Sequence, residues 1–174
     1  DAMVGASITN TVFVPIDPRT SGEKLSYMLS FSGCRGVIVA DYALENLLQI
    51  ADQLPQLGWV WVLNSNPAKP PQSSLPGQRP LSDILSGPVP DIALRANDPE
   101  APMQMLYTSG TTGDPKAIVA PHIRFGRSAT LGPLFGLKTG DRPYTGLSLT
   151  HANAQMITLG MALLMKSTKQ FLKL

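Results

Sequence analysis

Hydroxyl side chains and glycines are concentrated between positions 108 and 113, where the sequence reads Thr-Ser-Gly-Thr-Thr-Gly. Glycine lets the backbone approach an anion closely, and successive backbone N–H groups form a concave anion site. The hydroxyls add neutral donors, and Lys116 adds a compact positive charge whose position is restricted by Pro115. The pattern predicts a phosphate-binding loop, with a polar hairpin turn as the alternative. The predicted phosphate contacts are Thr108, Ser109, Gly110, Thr111, Thr112, Gly113 and Lys116.

Apolar runs on both sides of the loop predict the strands that hold it. Residues 103–106 precede the loop and residues 117–120 follow it, which is typical of two strands joined by a flexible connection. Tight hairpins prefer Asn-Gly or Asp-Gly and do not need four hydroxyls, so the phosphate loop is favoured. The lysine follows Asp-Pro, which differs from a Walker A loop, and the glycine spacing differs from that of dinucleotide-binding folds.

The first third of the chain alternates apolar runs with helical patterns. Residues 12–16, 37–40 and 59–63 are predicted strands. One helix is predicted to begin at Thr20, where Glu23 would close a capping box, and to end at Gly33; a second would run from Asp41 to Pro55. The β-α-β-α-β order predicts a parallel sheet with right-handed crossovers.

A proline-rich segment, residues 64–100, follows these elements. Because the runs on either side of it resemble strands, we interpret it as a connection within one domain, with a helical turn at residues 81–85. Beyond the phosphate loop, we predict a helix from His122 to about Leu134, a strand at residues 143–149, and a helix from His151 to about Met165 with Thr150 as its cap. The last helix is apolar on all sides, which predicts that it is buried.

Composition limits the classes of function. The net charge is +2, from 14 basic and 12 acidic residues, which gives no reason to expect binding of nucleic acid or of an acidic membrane. No apolar run is long enough to span a bilayer. Cys34 is the sole cysteine of the sequence, so no intramolecular disulfide is possible; this fits a reducing, cytoplasmic compartment and a structural thiol.

Residues 108–116 closely resemble the signature loop of adenylate-forming enzymes, Thr-Ser-Gly-Ser/Thr-Thr-Gly-x-Pro-Lys-Gly, and depart from it at Ala117. This superfamily includes acyl-CoA synthetases, peptide-synthetase adenylation domains and luciferases. Residues 14–19 and 24–29 resemble its earlier structural motif. The resemblance implies an α/β fold in which residues 1–174 are part of the large AMP-binding domain, a layered, mostly parallel sheet with flanking helices, with the small C-terminal domain absent.

Residues 148–154 resemble the next motif of the superfamily, in which CoA ligases carry a histidine at the position of His151. The resemblance implies that His151 lines the acyl pocket and takes part in the reaction, and that CoA is the thiol acceptor; a packed polar residue at a helix start is the alternative. His122 is interpreted as structural. Asp141, although part of a Thr-Gly-Asp tripeptide, is assigned to a surface turn.

The reaction that the resemblance implies joins a carboxylate to AMP from ATP, with Mg²⁺, and then transfers the acyl group to CoA. The adenine loop, the magnesium-binding glutamate, the ribose aspartate and the catalytic lysine of the family lie further downstream, so no metal ligand is assigned here. We therefore expect a fragment that is inactive by itself, and residues 166–174 suggest a truncated or frame-shifted end. The alternatives are a non-catalytic nucleotide-binding or interaction module and a fragment of a peptide-synthetase-type adenylation domain.

Overall fold

Short strands and helices alternate in the computed structural model, which describes residues 1–66, 68, 74–108 and 114–171, with side chains described as far as Met165. The α-helices are α1 (Ala2–Ile8), α2 (Gly22–Phe31), α3 (Leu44–Leu48), α4 (Leu81–Leu85), α5 (His122–Ala129) and α6 (Gly160–Phe171). The strands are β1 (Gly36–Ala40), β2 (Trp59–Leu63), β3 (Gln78–Pro80), β4 (Pro102–Thr108) and β5 (Lys116–Pro121). A π-helix spans Asn153–Leu159, and 3₁₀ turns span Asp41–Ala43, Ala51–Gln53 and Pro133–Phe135.

One compact unit comprises the described residues of the ranges 16–91 and 109–116. Its strands form a parallel sheet in the order β1-β2-β3, in which Val37 pairs with Val60 and Val60 with Gln78. The predicted parallel α/β architecture with flanking helices is therefore confirmed. The strand β3 was not predicted, because it is three residues long and lies in the proline-rich segment, where no periodicity marks it.

The core of this unit explains why its helices form. Val60 and Val62 are 0% and 2% exposed, and they pack against apolar residues of α2 and α3. Burial of one such aliphatic side chain contributes about 1.5–3 kcal/mol, which is more than short helices gain from intrinsic propensity. The buried members of the cluster are Leu25, Leu29, Leu44, Leu47, Ile50, Leu54, Val60 and Val62. Cys34 packs against this cluster, as expected for a structural thiol.

The backbone conformation directly before β3 requires a glycine at position 77. Gly77 has φ +72°, and a Cβ there would lie 2.6 Å from the carbonyl oxygen of Gly58. We expect Gly77→Ala to lower the free energy of unfolding by about 2–5 kcal/mol, because a left-handed conformation and a backbone clash add together. Urea denaturation, followed by the fluorescence of the two β2 tryptophans, measures the loss.

Gly33→Ala is the matched control for that substitution. Gly33 has φ +63°, but a Cβ there would meet nothing within 4 Å. We expect a smaller loss of about 1–2 kcal/mol, from the left-handed conformation only. Equal losses in the two variants would contradict the importance of the close approach between Gly77 and Gly58.

The second compact unit comprises residues 1–15, 92–108 and 117–174, as far as they are described. In it, β4 and β5 form a two-stranded sheet. Phe13 forms a single parallel bridge to Gln104: its N–H donates to Met103 O (3.0 Å), and its carbonyl accepts from Met105 N (2.9 Å). The apolar cluster of this unit contains Leu106, Ala120 and Met156, with Phe125 and Ala152 packed against it.

Two strand predictions were wrong. The predicted strand at residues 12–16 is reduced to the bridge at Phe13, because Pro15 has no N–H to donate. Residues 143–149 form no strand, and Tyr144 is 92% exposed. There, Thr145 Oγ1 accepts from Leu147 N, and Ser148 Oγ accepts from Thr150 N. Such local bonds from side chains to the backbone compete with a strand ladder.

The predicted helix starts also need correction. The capping box of Thr20 and Glu23 does not form: α2 begins at Gly22 after Ser21, with no hydrogen bond from a capping side chain. The N–H of Thr20 instead donates to Asp17 O, which continues the Asp-Pro turn. The predicted helix 41–55 is divided into a 3₁₀ turn, the five-residue α3 and a second 3₁₀ turn.

In the second unit, the observed helices end at other residues than the sequence predicted. The helix α5 ends at Ala129, not near Leu134, because Gly132 and Pro133 follow and prevent its continuation. The predicted last helix is a π-helix followed by α6, and it is not buried on all sides, since Leu163 and Leu164 are 41% and 37% exposed. None of the described helices has the length and apolar character that a membrane crossing requires.

Candidate functional site

The two ends of the predicted phosphate loop are the ends of paired strands. Thr108 is the last residue of β4 and Lys116 is the first residue of β5, and these strands are neighbours in one sheet. A parallel pair would need a crossover of about a dozen residues or more, so the connection at residues 109–115 makes β4 and β5 a hairpin. The side chains of Thr108 and Lys116 are both exposed.

The middle of the loop lies outside the described residues. This applies to Ser109, Gly110, Thr111, Thr112 and Gly113, whose phosphate contacts stay predictions. The loop exit is described: Pro115 is buried, and Asp114 and Lys116 on either side of it are exposed. A buried proline next to an exposed lysine limits the positions that the ammonium group reaches.

His151 lies in a turn of residues 148–151, called the histidine turn below, and its side chain is exposed. Its N–H donates to Ser148 O at 2.9 Å, and its Nδ1 accepts from the N–H of Asn153 at 3.3 Å. With Nδ1 as acceptor, the proton of a neutral imidazole is on Nε2. The expectation that His151 follows a strand was wrong, because residues 143–149 form none. Its place in the acyl pocket stays a prediction.

The other histidine has the local contacts of a structural residue. Nδ1 of His122 lies 3.2 Å from Ser7 Oγ, and the backbone N–H of His122 donates to Ala101 O. This histidine therefore ties α1 and the start of β4 to the start of α5. The prediction that Asp141 lies in a surface turn is confirmed: its carboxylate accepts from Lys138 N at 2.7 Å, and it is exposed.

Carboxylates in the first unit stabilise turns. Bonds from the Arg19 side chain and N–H lower the pKa of Asp17 to about 2. Asp41 lies just after β1 and Ser65 just after β2, and the Asp41 carboxylate accepts hydrogen bonds from the hydroxyl and the backbone N–H of Ser65. Both bonds lower the pKa of Asp41, and the bond from the hydroxyl has the larger effect. The carboxyl ends of two parallel strands are thus joined by a structural contact. In the described part of the chain, no group of histidine, cysteine and acidic residues is arranged to hold a metal ion.

An open cavity of about 450 Å³ lies where β4 begins and β5 ends. Glu100, Arg124, Arg127 and Ser128 provide its polar lining. None of the residues that line this cavity belongs to the predicted phosphate loop.

Two buried glutamines were missed by the sequence analysis. Gln104 on β4 is 0% exposed, and Gln155 in the π-helix is 3% exposed. The available signal was a single polar residue within each apolar run. Periodicity does not separate a π-helix from an α-helix over seven residues, so the position of Gln155 required the structure.

The sequence model of AMP-binding enzymes matches residues 2–168, which is nearly the whole chain. The chain belongs to the AMP-binding enzyme family. An anthranilate CoA ligase, whose crystal structure holds anthranoyl-AMP, superposes with a TM-score of 0.68 and 26% identity, over 81% of this chain and 26% of that one. The fold is thus that of part of an acyl-CoA ligase large domain.

Curated relatives of this family member include two kinds of synthetase. A human long-chain-fatty-acid–CoA ligase is 30% identical in an alignment 173 residues long, which covers 90% of this chain and 23% of the relative. A delta-poly-L-ornithine synthetase of Acinetobacter baumannii (strain AB307-0294) is 26% identical in an alignment 151 residues long, which covers 85% of this chain and 9% of the relative. The chain spans less than a quarter of the length of either relative.

Proposed function

We propose that this chain is the ATP-triphosphate-holding part of an AMP-forming carboxylate–CoA ligase. The observation that carries the proposal is the hairpin of β4 and β5, which joins Thr108 to Lys116 through the hydroxyl- and glycine-rich segment. Membership in the AMP-binding family makes a nucleotide phosphate the expected ligand of this loop.

The donors of the loop suit a triphosphate. In the proposal, the hydroxyls of Thr108 and its neighbours and the glycine N–H groups donate to the β- and γ-phosphates, while Lys116 balances part of their charge. When a carboxylate attacks the α-phosphorus, the P–O bond to pyrophosphate breaks and negative charge grows on the leaving group. Donors that are already oriented toward this charge stabilise the transition state. Bound Mg²⁺ would supply further charge neutralisation.

The acyl side of the reaction is assigned to His151. In the proposal, the exposed imidazole ring of His151, oriented by the Asn153 N–H, lines the carboxylate pocket and presents its Nε2–H to the bound acyl group. The thiol of CoA then attacks the acyl-adenylate, AMP leaves, and a thioester forms. An acyl-adenylate is the ligand in the crystal structure of the anthranilate CoA ligase, which is 26% identical to this chain.

Calorimetric titration of the 174-residue chain with ATP·Mg²⁺ tests the proposal. We expect saturable binding without carboxylate-dependent exchange of pyrophosphate into ATP, because the sequence contains no Tyr-Gly-x-Thr-Glu segment. A folded chain that does not bind ATP would contradict the role of the loop. Measurable exchange would contradict the expected inactivity of the isolated chain.

A peptide-synthetase-type adenylation function is the second candidate, because the delta-poly-L-ornithine synthetase aligns over 85% of this chain. The two candidates share the adenylation step and differ in the thiol that receives the acyl group. In the whole protein, thioester formation with free CoA would support the ligase. Transfer to a carrier-bound phosphopantetheine thiol, with no reaction of free CoA, would support the second candidate.

A further inference from the structure

Gln155 is a polar residue in an apolar position. It is 3% exposed, and its neighbours Ala154 and Met156 are 0% and 5% exposed. Burial of an amide is unfavourable unless its polar atoms are hydrogen-bonded, and a methionine of similar size would pack there without that requirement.

Gln155 holds the histidine turn from both sides. Its side-chain Nε2 donates to the carbonyl oxygen of Leu149, and its backbone N–H donates to the carbonyl of His151 at 3.2 Å. The turn itself is closed by the bond from His151 N–H to Ser148 O at 2.9 Å. The side chain of Gln155 thus restrains the Leu149–Thr150 peptide group, and its backbone N–H, which any non-proline residue would offer, restrains the His151–Ala152 peptide group.

The oxygen of the same amide has no partner. Gln155 Oε1 is buried and accepts no hydrogen bond from any residue that the structure describes. The amide is therefore not fully satisfied by its surroundings, and among the described residues the bond to Leu149 is the side-chain hydrogen bond that offsets its burial. A π-helix is uncommon and often marks a functional site, and here it is the element that presents Gln155 to the turn.

We propose that Gln155 is a positioning residue, which orients His151 by holding the histidine turn and does not itself touch a substrate. By fixing the turn, Gln155 keeps His151 Nδ1 in reach of the Asn153 N–H and so keeps the proton of the neutral ring on Nε2. A contribution of Gln155 to catalysis rests on the proposed function of His151. The orientation of His151 by Gln155 does not depend on that function.

Nuclear magnetic resonance of the ¹⁵N-labelled 174-residue chain tests the inference without ATP. The sequence contains two histidines, so His122 is an internal reference. In the unmodified chain we expect the Nε2–H tautomer of His151. In Gln155→Met we expect a mixture of tautomers, together with amide exchange of His151 and Asn153 that is about 3- to 10-fold faster, while His122 is unchanged.

Gln104→Met is the matched control, because it removes another buried amide of the same unit, one whose Nε2 and Oε1 are both unpartnered in the described structure. We expect His151 to keep its tautomer and its exchange rates in this variant. Gln155→Asn, whose shorter amide does not reach Leu149, should change the tautomer and the exchange rates of His151 as Gln155→Met does. The asparagine variant is used for the test if the Gln155→Met variant does not fold.

Two results would overturn the inference: an unchanged His151 in a folded Gln155 variant, or equal changes in the Gln155 and Gln104 variants. A role of Gln155 in stability alone would lower resistance to urea and leave the His151 tautomer unchanged. Because the readout needs no nucleotide, the inference fails or succeeds separately from the proposed ATP site.

Discussion

Lys116→Ala is expected to weaken the binding of ATP·Mg²⁺ to the 174-residue chain by about 10- to 100-fold. Lys116 begins β5 directly after the hydroxyl- and glycine-rich segment, and it is exposed. A hydrogen bond to a charged group contributes about 1.5–3 kcal/mol, and each 1.4 kcal/mol is a tenfold change in affinity. Calorimetric titration of both chains at one fixed salt concentration measures the difference.

Lys138→Ala is the control for the loss of one positive charge. Lys138 is exposed and lies outside the loop. Its hydrogen bond to the Asp141 carboxylate is donated by the backbone N–H, which the substitution by alanine retains. We expect its ATP affinity to change less than about twofold, because exposed charges at a distance are screened by salt. Equal losses in the two variants would show a general electrostatic effect and contradict a specific contact by Lys116.

Leu47→Ala is expected to lower the free energy of unfolding of the first unit by about 2–5 kcal/mol. Leu47 is 2% exposed and belongs to the cluster that joins α2, α3 and β2. Its removal leaves a cavity between elements that are too short to be stable without packing. Both tryptophans of the sequence lie on β2, so urea denaturation followed by tryptophan fluorescence reports on this unit.

Leu85→Ala is the matched control, because it is the same substitution in a helix of the same unit. Leu85 on α4 is 74% exposed, so we expect a change of about 0.5 kcal/mol or less. A Leu47 variant as stable as the Leu85 variant would contradict the assignment of Leu47 to the core.

Several elements could be predicted because their signals are local and strong. Residues 37–40 and 59–63 are β-branched or aromatic runs bounded by glycine, proline and polar residues, and both are strands. The strands on either side of the loop were predicted from the apolar runs at residues 103–106 and 117–120, which flank a polar, glycine-rich segment. The short β3 could not be predicted, since three residues that include Pro80 carry no strand signal and are held by pairing with β2.

The wrong predictions have a common physical cause. Residues 143–149 contain the apolar residues of a strand, but Ser148 and the neighbouring hydroxyls bond to the local backbone, and the described structure offers these residues no pairing strand. In the last helix, the apolar pattern predicted burial on all sides, yet Leu163 and Leu164 keep more than a third of their surface exposed. Patterning describes what a segment prefers, whereas exposure depends on which neighbours pack against it.

The sequence by itself determined the family and the proposed chemistry, because the loop residues are consecutive and their donors and charge are properties of the residue types. Only the tertiary structure decided that β4 and β5, the strands on either side of the loop, pair with each other, that His151 lies in a turn and follows no strand, and that a buried glutamine holds this turn. These features depend on hydrogen bonds and packing between segments, which residue types and their spacing do not specify.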